Sequence, residues 1–173
     1  EEIHARYFAV GCDIVETNTF GSSRLKLDEY GLGHRTYEVN FRAAIVARRA
    51  AERFSTPEHP RFVAGSMGPT GLLPSSSDPA LGNITSDALE RIFFEQAKGL
   101  VEGGVDAIIL ADPGLMEYAK TKHPQLRLHL SVQGSATNYE AINFYHEQFG
   151  IQRAVLPRVL ALVIALPILT FIG

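Results

Sequence analysis

The sequence predicts an α/β fold, a partial (β/α)8 barrel of the TIM type with about five parallel strands alternating with helices. Strand-like and helix-like segments alternate about five times along the chain. The strand-like segments are almost continuously apolar, as expected for strands that are buried on both faces of a parallel sheet. A complete barrel needs about 250 residues, whereas this chain has 173. A doubly wound open sheet is the alternative architecture.

The predicted strands are short apolar runs, most of them followed by polar residues or glycine. Ligands of parallel α/β folds bind beyond the carboxyl ends of the strands, so the residues after each run are the first candidates for a functional site. The predicted strands are Cys12–Asn18, Arg61–Ser66, Val105–Ala111, Leu126–Val132 and Ile151–Leu156.

Helices are predicted between the strands from apolar residues at three- and four-residue spacing, and Ser75–Gly82 is predicted to be a loop. In the clearest helix one apolar face is formed by Leu89, Ile92, Phe93, Ala97, Leu100 and Val101. The predicted helices are Arg35–Phe54, with Tyr37, Phe41, Ala44, Ile45 and Ala51 on its apolar face, then Ile84–Gly103, a helix opening at Asp112-Pro113-Gly114, and one from the capping-box pattern Thr137-Asn138-Tyr139-Glu140 to near Gly150.

Composition excludes several classes of protein. Sixteen basic and nineteen acidic residues, spread evenly, give a net charge of −3, so a strongly electrostatic nucleic-acid binder is excluded and no DNA partner is expected. The single cysteine, Cys12, excludes an intrachain disulfide framework and an all-cysteine metal site within this chain. Such cysteine usage suits a reducing compartment, and we expect a cytoplasmic location.

The two ends of the chain differ from its middle. The first residues have the pattern of a helix and no secretory signal is visible, so we expect a fragment of a larger protein. Val159–Gly173 carries no charged residue, and its length of about 15 residues is below the roughly 20 that a membrane-spanning helix needs. We expect one partial-barrel domain over residues 1–158 and an apolar tail that is either core-covering or artefactual, with membrane contact as the alternative.

Two motifs in the first two thirds of the chain are specific. They are DIVETNTFG, from Asp13 to Gly21, and RFVAGSMGPTG, from Arg61 to Gly71. Leu27-Asp28-Glu29-Tyr30-Gly31 stands between them, and Glu95-Gln96-Ala97 and Gly103-Gly104-Val105-Asp106 follow. In this order they resemble the homocysteine-binding barrel of methionine synthases and homocysteine S-methyltransferases, over about residues 1–109. The resemblance implies a small-molecule thiol substrate and methyl transfer to it.

A second resemblance begins near Gly104. The segments ADPGL, from Ala111 to Leu115, and HLSVQ, from His129 to Gln133, with Arg153–Arg158 after them, resemble the collagenase-like peptidase family, which includes proteins of tRNA uridine hydroxylation. This resemblance covers about residues 104–158. We therefore interpret the chain as two barrel-type segments joined at the strand Val105–Leu110.

The first resemblance also implies a set of substrate-binding residues. An acidic residue is implied at the end of the fourth barrel strand, where this chain has Ala111, with Asp112 one place later. For Asn18 and Ser66, capping of the helices that follow is an equally good interpretation. The predicted substrate-binding residues are Glu16, Thr17, Asn18, Ser66, Gly68 and Asp112.

The chemistry of methyl transfer is expected to be impaired in this chain. The resemblance implies a zinc ion held by three cysteines after later strands, where it lowers the pKa of the substrate thiol. Cys12 instead precedes its strand, which suits a structural residue. The chain alone is therefore expected to hold no cofactor.

Other catalytic sets are incomplete. His146 lacks the second histidine of a zincin motif, and His129 and Ser131 lack an orienting acid. The leading hypothesis is a homocysteine S-methyltransferase-type fragment, whose barrel a partner chain could complete. The alternatives are a peptidase-like or tRNA-modifying barrel and a non-catalytic assembly or membrane-anchoring module.

Overall fold

The computed structural model describes residues 1–72 and 77–156. The contacts within the chain divide it into two compact units. Unit 1 covers Glu1–Asp106 and unit 2 begins at Ala107. In both units parallel strands alternate with helices, as the sequence predicts.

Unit 1 contains two paired strands and five α-helices within the described residues. β1 and β2 are parallel, with Ile14 opposite Phe62 and Glu16 opposite Ala64. A short 3-10 turn precedes α3. The elements are α1 (Glu2–Ala9), β1 (Ile14–Glu16), α2 (Arg24–Asp28), α3 (Thr36–Phe54), β2 (Phe62–Ser66), α4 (Pro79–Gly82) and α5 (Ser86–Glu102).

Unit 2 contains three parallel strands, with β4 between β3 and β5. Ile109 lies opposite His129, and His129 lies opposite Arg153. The elements are β3 (Ala107–Leu110), α6 (Pro113–Lys122), β4 (Leu128–Leu130), α7 (Tyr139–Phe149) and β5 (Arg153–Ala154).

Each of the five predicted strands is present, although every one is shorter than predicted. Flanking residues such as Thr17 and Ser131 still donate to the neighbouring strand. The capping-box interpretation at Thr137 was wrong, since Asn138 is the N-cap of α7 and its side chain accepts from the Ala141 N–H at 2.8 Å. Within the predicted loop Ser75–Gly82, the structure places α4, capped by Asp78. The short helix α2 was not predicted.

Helices α3 and α5 pack very closely in unit 1, and small residues make this possible. A Cβ on Gly99 would lie 2.7 Å from the Tyr37 carbonyl oxygen, and one on Gly103 would lie 2.6 Å from the Ala44 Cβ. The predicted apolar face of α3 is therefore only partly correct: Tyr37 is 36% exposed, and the fully buried apolar side chains are alanines at 44, 47, 50 and 51. Ala44, Gly99 and Gly103 let the two backbones approach. The other three alanines pack in the core cluster with Phe8, Val15 and Val63.

The junction between α5 and the end of unit 1 is fixed by one arginine. Arg48 of α3 donates to the Gly104 carbonyl from Nε at 2.9 Å and from Nη2 at 2.7 Å, and it also pairs with the Asp106 carboxylate. That carboxylate accepts the Val63 N–H at 2.7 Å, while the Asp106 N–H donates to the Val63 carbonyl at 2.8 Å. The last residue of unit 1 is thereby aligned beside β2.

None of the helices within residues 1–72 and 77–156 is both long and apolar enough to cross a membrane. The predicted apolar tail, Val159–Gly173, lies outside the described residues.

Replacing Gly103 by alanine should destabilise the chain, because the new methyl group would overlap the Ala44 Cβ and the Phe41 carbonyl oxygen. Overpacking of this kind costs about 1–3 kcal/mol. The free energy of unfolding, measured by urea titration, should fall by that amount. Gly21→Ala is the matched control, since no atom lies within 4 Å of the new Cβ position; equal stability of the two variants would contradict the packing argument.

His129 in β4 should make the protein less stable in acid. Burial lowers the pKa of its imidazole below the ordinary 6.5, and the nearby cations Arg153 and Arg127 lower it further. The unfolded chain therefore takes up a proton first as the pH falls through 6.5, so the free energy of unfolding decreases.

Urea titrations at about pH 7.5 and about pH 5.5 should show a smaller acid-induced loss of stability for His129→Phe than for the unaltered chain. His34→Phe, at an exposed position, is the control. The His34→Phe variant should lose as much stability in acid as the unaltered chain. If the His129→Phe variant also loses that much, the role assigned to His129 is wrong.

Candidate functional site

The carboxyl ends of β1 and β2 lie side by side in unit 1, because the two strands are parallel neighbours. The strand pairing ends with the Thr17 N–H donating to the Ala64 carbonyl at 2.9 Å. Beyond this bond the backbones separate, and the two specific motifs of the sequence face each other. Three of the predicted site residues, Thr17, Ser66 and Gly68, are brought together and buried here.

Two threonine hydroxyls continue the contact where the strand ladder stops. The Ser66 N–H donates to Thr17 Oγ1 at 3.0 Å, and Thr19 Oγ1 donates to the Ser66 carbonyl at 2.7 Å. The two hydroxyl oxygens are 2.6 Å apart. Since the Thr19 proton is used on Ser66, the Thr17 hydroxyl must donate to Thr19. The result is a closed hydrogen-bond circuit, called here the hydroxyl ring, formed by both threonine side chains and the backbone of Ser66.

A backbone bond next to the hydroxyl ring explains Gly68. The Gly68 N–H donates to the Phe20 carbonyl at 3.0 Å. A Cβ at position 68 would lie 2.5 Å from the same oxygen and 2.9 Å from the Phe20 ring. Only glycine permits this approach, so the two motifs fit each other through a residue that has no side chain.

The remaining predicted residues of β1 point away from the hydroxyl ring. Glu16 and Asn18 are exposed, whereas Thr17 and Thr19 are buried, in the alternation expected of extended backbone. Helix capping does not account for Asn18 or Ser66, because the N-cap positions of the helices α2 and α4 are occupied by Ser23 and Asp78. The carboxylate of Glu16 and the amide of Asn18 are therefore accessible at the end of β1.

Two buried amide side chains hold the turn that follows Thr19. Gln96 Nε2 in α5 donates to the Thr19 carbonyl at 2.8 Å, and Asn40 Nδ2 in α3 donates to the Ser22 carbonyl at 2.8 Å. Neither residue was predicted as a site residue, although Gln96 belongs to the Glu95-Gln96-Ala97 segment of the first resemblance. A signal was present, since Gln96 stands four residues after Ile92 and four before Leu100, within the predicted apolar face of its helix.

Helix α1 contacts the same end of β1 through His4. Its Nε2 lies 3.1 Å from the Glu16 carbonyl oxygen and must carry the proton of this bond, because a carbonyl can only accept. Burial lowers the pKa of His4, which keeps the imidazole neutral near pH 7. The sequence contains no signal for this contact, since His4 lies on a different element from the motifs.

Unit 2 contains the last predicted site residue, Asp112. Its Oδ1 accepts the Leu115 N–H at 2.8 Å, so it is the N-cap of α6. Ser131 has a similar role, since its side chain accepts from the Gln133 N–H at 3.4 Å. His129 is buried within β4. Asp112 and Ser131 therefore serve the local backbone of unit 2.

A zinc site of three thiolates does not fit this chain. Cys12 is its single cysteine and lies half-buried in the turn before β1, at the opposite end of the strand from the hydroxyl ring. Within residues 1–72 and 77–156, no group of three or more His, Cys, Asp or Glu side chains is arranged to hold a metal ion.

Comparison with known proteins agrees with both resemblances. The family model of homocysteine S-methyltransferase matches residues 1–112, and that of peptidase family U32 matches residues 83–164. Methionine synthase of Mycobacterium leprae (strain TN) is 39% identical over 110 residues, which is 64% of this chain and 9% of that protein. The match thus spans about a tenth of the relative's length.

Solved structures show the fold. The metallated form of the homocysteine methyltransferase MmuM from Escherichia coli aligns with 99% of this chain and 67% of its own, with a TM-score of 0.71 at 17% identity. The apo form aligns with 99% of this chain and 66% of its own, with a TM-score of 0.62 at 16% identity. The predicted fold class, a partial (β/α)8 barrel, is confirmed by this likeness.

Replacing Thr19 by valine should break the hydroxyl ring while nearly preserving side-chain volume. The Ser66 carbonyl and the Thr17 hydroxyl would each lose a buried partner, so the free energy of unfolding should fall by about 1–3 kcal/mol. Urea titration measures this loss. Thr137→Val, at an exposed position, should cost much less. If the two variants were equally stable, the ring would have no energetic significance.

Proposed function

Because this chain belongs to the homocysteine S-methyltransferase family, we propose that unit 1 binds L-homocysteine at the carboxyl ends of β1 and β2. The observation that carries the proposal is the hydroxyl ring. It fixes the ends of both strands from the buried side and leaves Glu16 and Asn18 accessible beside them.

The proposed binding mode follows from charge and hydrogen-bonding capacity. Homocysteine presents an ammonium group, a carboxylate and a thiol. The Glu16 carboxylate is the natural partner of the ammonium group, and the Asn18 amide can donate to the carboxylate. Gly68 keeps the two motifs in register beside these groups, because its missing side chain leaves room for the Phe20 carbonyl and ring. Asp112 is left out of this pocket, since its carboxylate already caps α6.

Methyl transfer is proposed to need residues outside this chain. The matched segment is 9% of the methionine synthase relative and about two thirds of the E. coli enzyme, so the chain corresponds to part of each. Three thiolates for zinc cannot come from a chain with one cysteine at the far end of β1. We infer that this chain supplies substrate-binding groups, and that metal-binding groups belong to polypeptide beyond it or to a partner chain.

Titration of the full chain with L-homocysteine in a calorimeter should show binding that Glu16→Gln weakens. Loss of the ammonium partner at an exposed position should reduce the affinity about three- to tenfold, which is about 0.7–1.4 kcal/mol. Glu58→Gln removes an exposed carboxylate before β2, away from the proposed pocket, and should leave the affinity unchanged. Absence of binding to the unaltered chain would refute the proposed function.

A zinc-binding measurement tests the inference that the metal-binding groups lie outside this chain. After dialysis against zinc and then against buffer, elemental analysis of the chain should find far less than one zinc ion per molecule. Tightly held zinc at a stoichiometry of one would contradict the assignment of the metal ligands to other polypeptide.

A further inference from the structure

Gln96 is, like Asn40, a fully buried amide beside the proposed pocket, and of its two polar side-chain atoms only Nε2 has a hydrogen-bond partner among the described residues. The side chain has no exposed surface. Nε2 donates to the Thr19 carbonyl at 2.8 Å, whereas Oε1 is buried and has no hydrogen-bond partner in the part of the chain that the structure describes. Burying a polar oxygen in this way opposes folding.

Stability of the turn does not require this amide. The Thr19 carbonyl already accepts the Ser22 N–H at 3.0 Å, so the bond from Gln96 is its second. An apolar side chain of similar size on α5 would keep the packing and would remove the unpartnered oxygen. The neighbouring positions of the same helix face, Ile92 and Leu100, are occupied by such residues.

The bond from Gln96 instead adds a link between distant parts of unit 1. It joins α5 to a residue 77 positions earlier, whose hydroxyl closes the hydroxyl ring on Ser66. Asn40 supplies a parallel link from α3 to Ser22. The strand end that carries Glu16 and Asn18 is thereby tied to two helices from its buried side.

We propose that Gln96 is a positioning residue for homocysteine binding: through the Thr19 carbonyl it holds the hydroxyl ring in the geometry that presents Glu16 and Asn18 to the ligand. This inference rests on the proposed function and adds to it a residue that does not touch the substrate. If it is correct, replacing Gln96 should weaken the affinity for homocysteine without lowering the free energy of unfolding. Replacing a purely structural residue would lower the free energy of unfolding as well.

The test uses Gln96→Met, which is close in volume and has neither donor nor acceptor of comparable strength. Calorimetric titration with L-homocysteine should give an affinity about tenfold weaker than that of the unaltered chain. The urea midpoint should stay the same or increase. Hydrogen exchange of the Ser66 amide, measured without ligand, should become about tenfold faster because the ring is less constrained. Leu100→Met, one turn further along α5 and equally buried, is the matched control and should change none of the three.

Gln96→Asn provides a second variant in case the methionine variant does not fold. It keeps the amide but shortens the side chain by one methylene group, so the amide no longer reaches the Thr19 carbonyl. The affinity for homocysteine should again fall, and exchange of the Ser66 amide should again become faster. If either folded variant binds homocysteine as tightly as the unaltered chain, or leaves Ser66 exchange unchanged, the positioning role is wrong while the proposed function stands. If the unaltered chain does not bind homocysteine, both are refuted.

Discussion

The hydroxyl ring is the interaction on which the rest of unit 1 depends. Parallel strands can align two loops only as far as their backbone ladder extends, and here the ladder ends at Thr17. Two threonine side chains then take over the role of the backbone by satisfying both the N–H and the carbonyl of Ser66. A buried backbone group without a partner is costly, so this arrangement strongly disfavours other conformations of the two loops.

Helices α3 and α5 carry two different kinds of buried residue: small residues where they pack against each other, and polar amides that bind the turn after β1. Where α3 and α5 contact each other most closely, Gly99, Gly103 and Ala44 allow the backbones to approach. The same two helices carry Asn40 and Gln96, which are buried but polar and which donate to carbonyls of the turn after β1. Packing explains the small residues, whereas the amides are explained by the turn that they hold. Polar residues within an apolar helix face thus lie beside the proposed site in this fold.

The two family matches overlap in the part of the chain that also contains the boundary between the two compact units. The matched ranges, residues 1–112 and 83–164, share residues 83–112, which contain α5 and β3. The boundary between the compact units, at Asp106 and Ala107, lies inside this shared range. A parallel strand followed by a helix recurs in both families' segments, so a change of family there preserves the alternation of elements.

The sequence by itself determined the fold class, the five strands and the two motifs whose residues meet at one edge, because apolar periodicity and glycine spacing are local properties of the chain. It also named Thr17, Ser66 and Gly68, the three predicted site residues that the structure brings together at this edge. The tertiary structure alone decided that Thr19, Asn40, Gln96 and His4 belong to the same edge. Each of these roles depends on a contact between elements that are distant in the sequence, and residue spacing does not encode such contacts with enough precision.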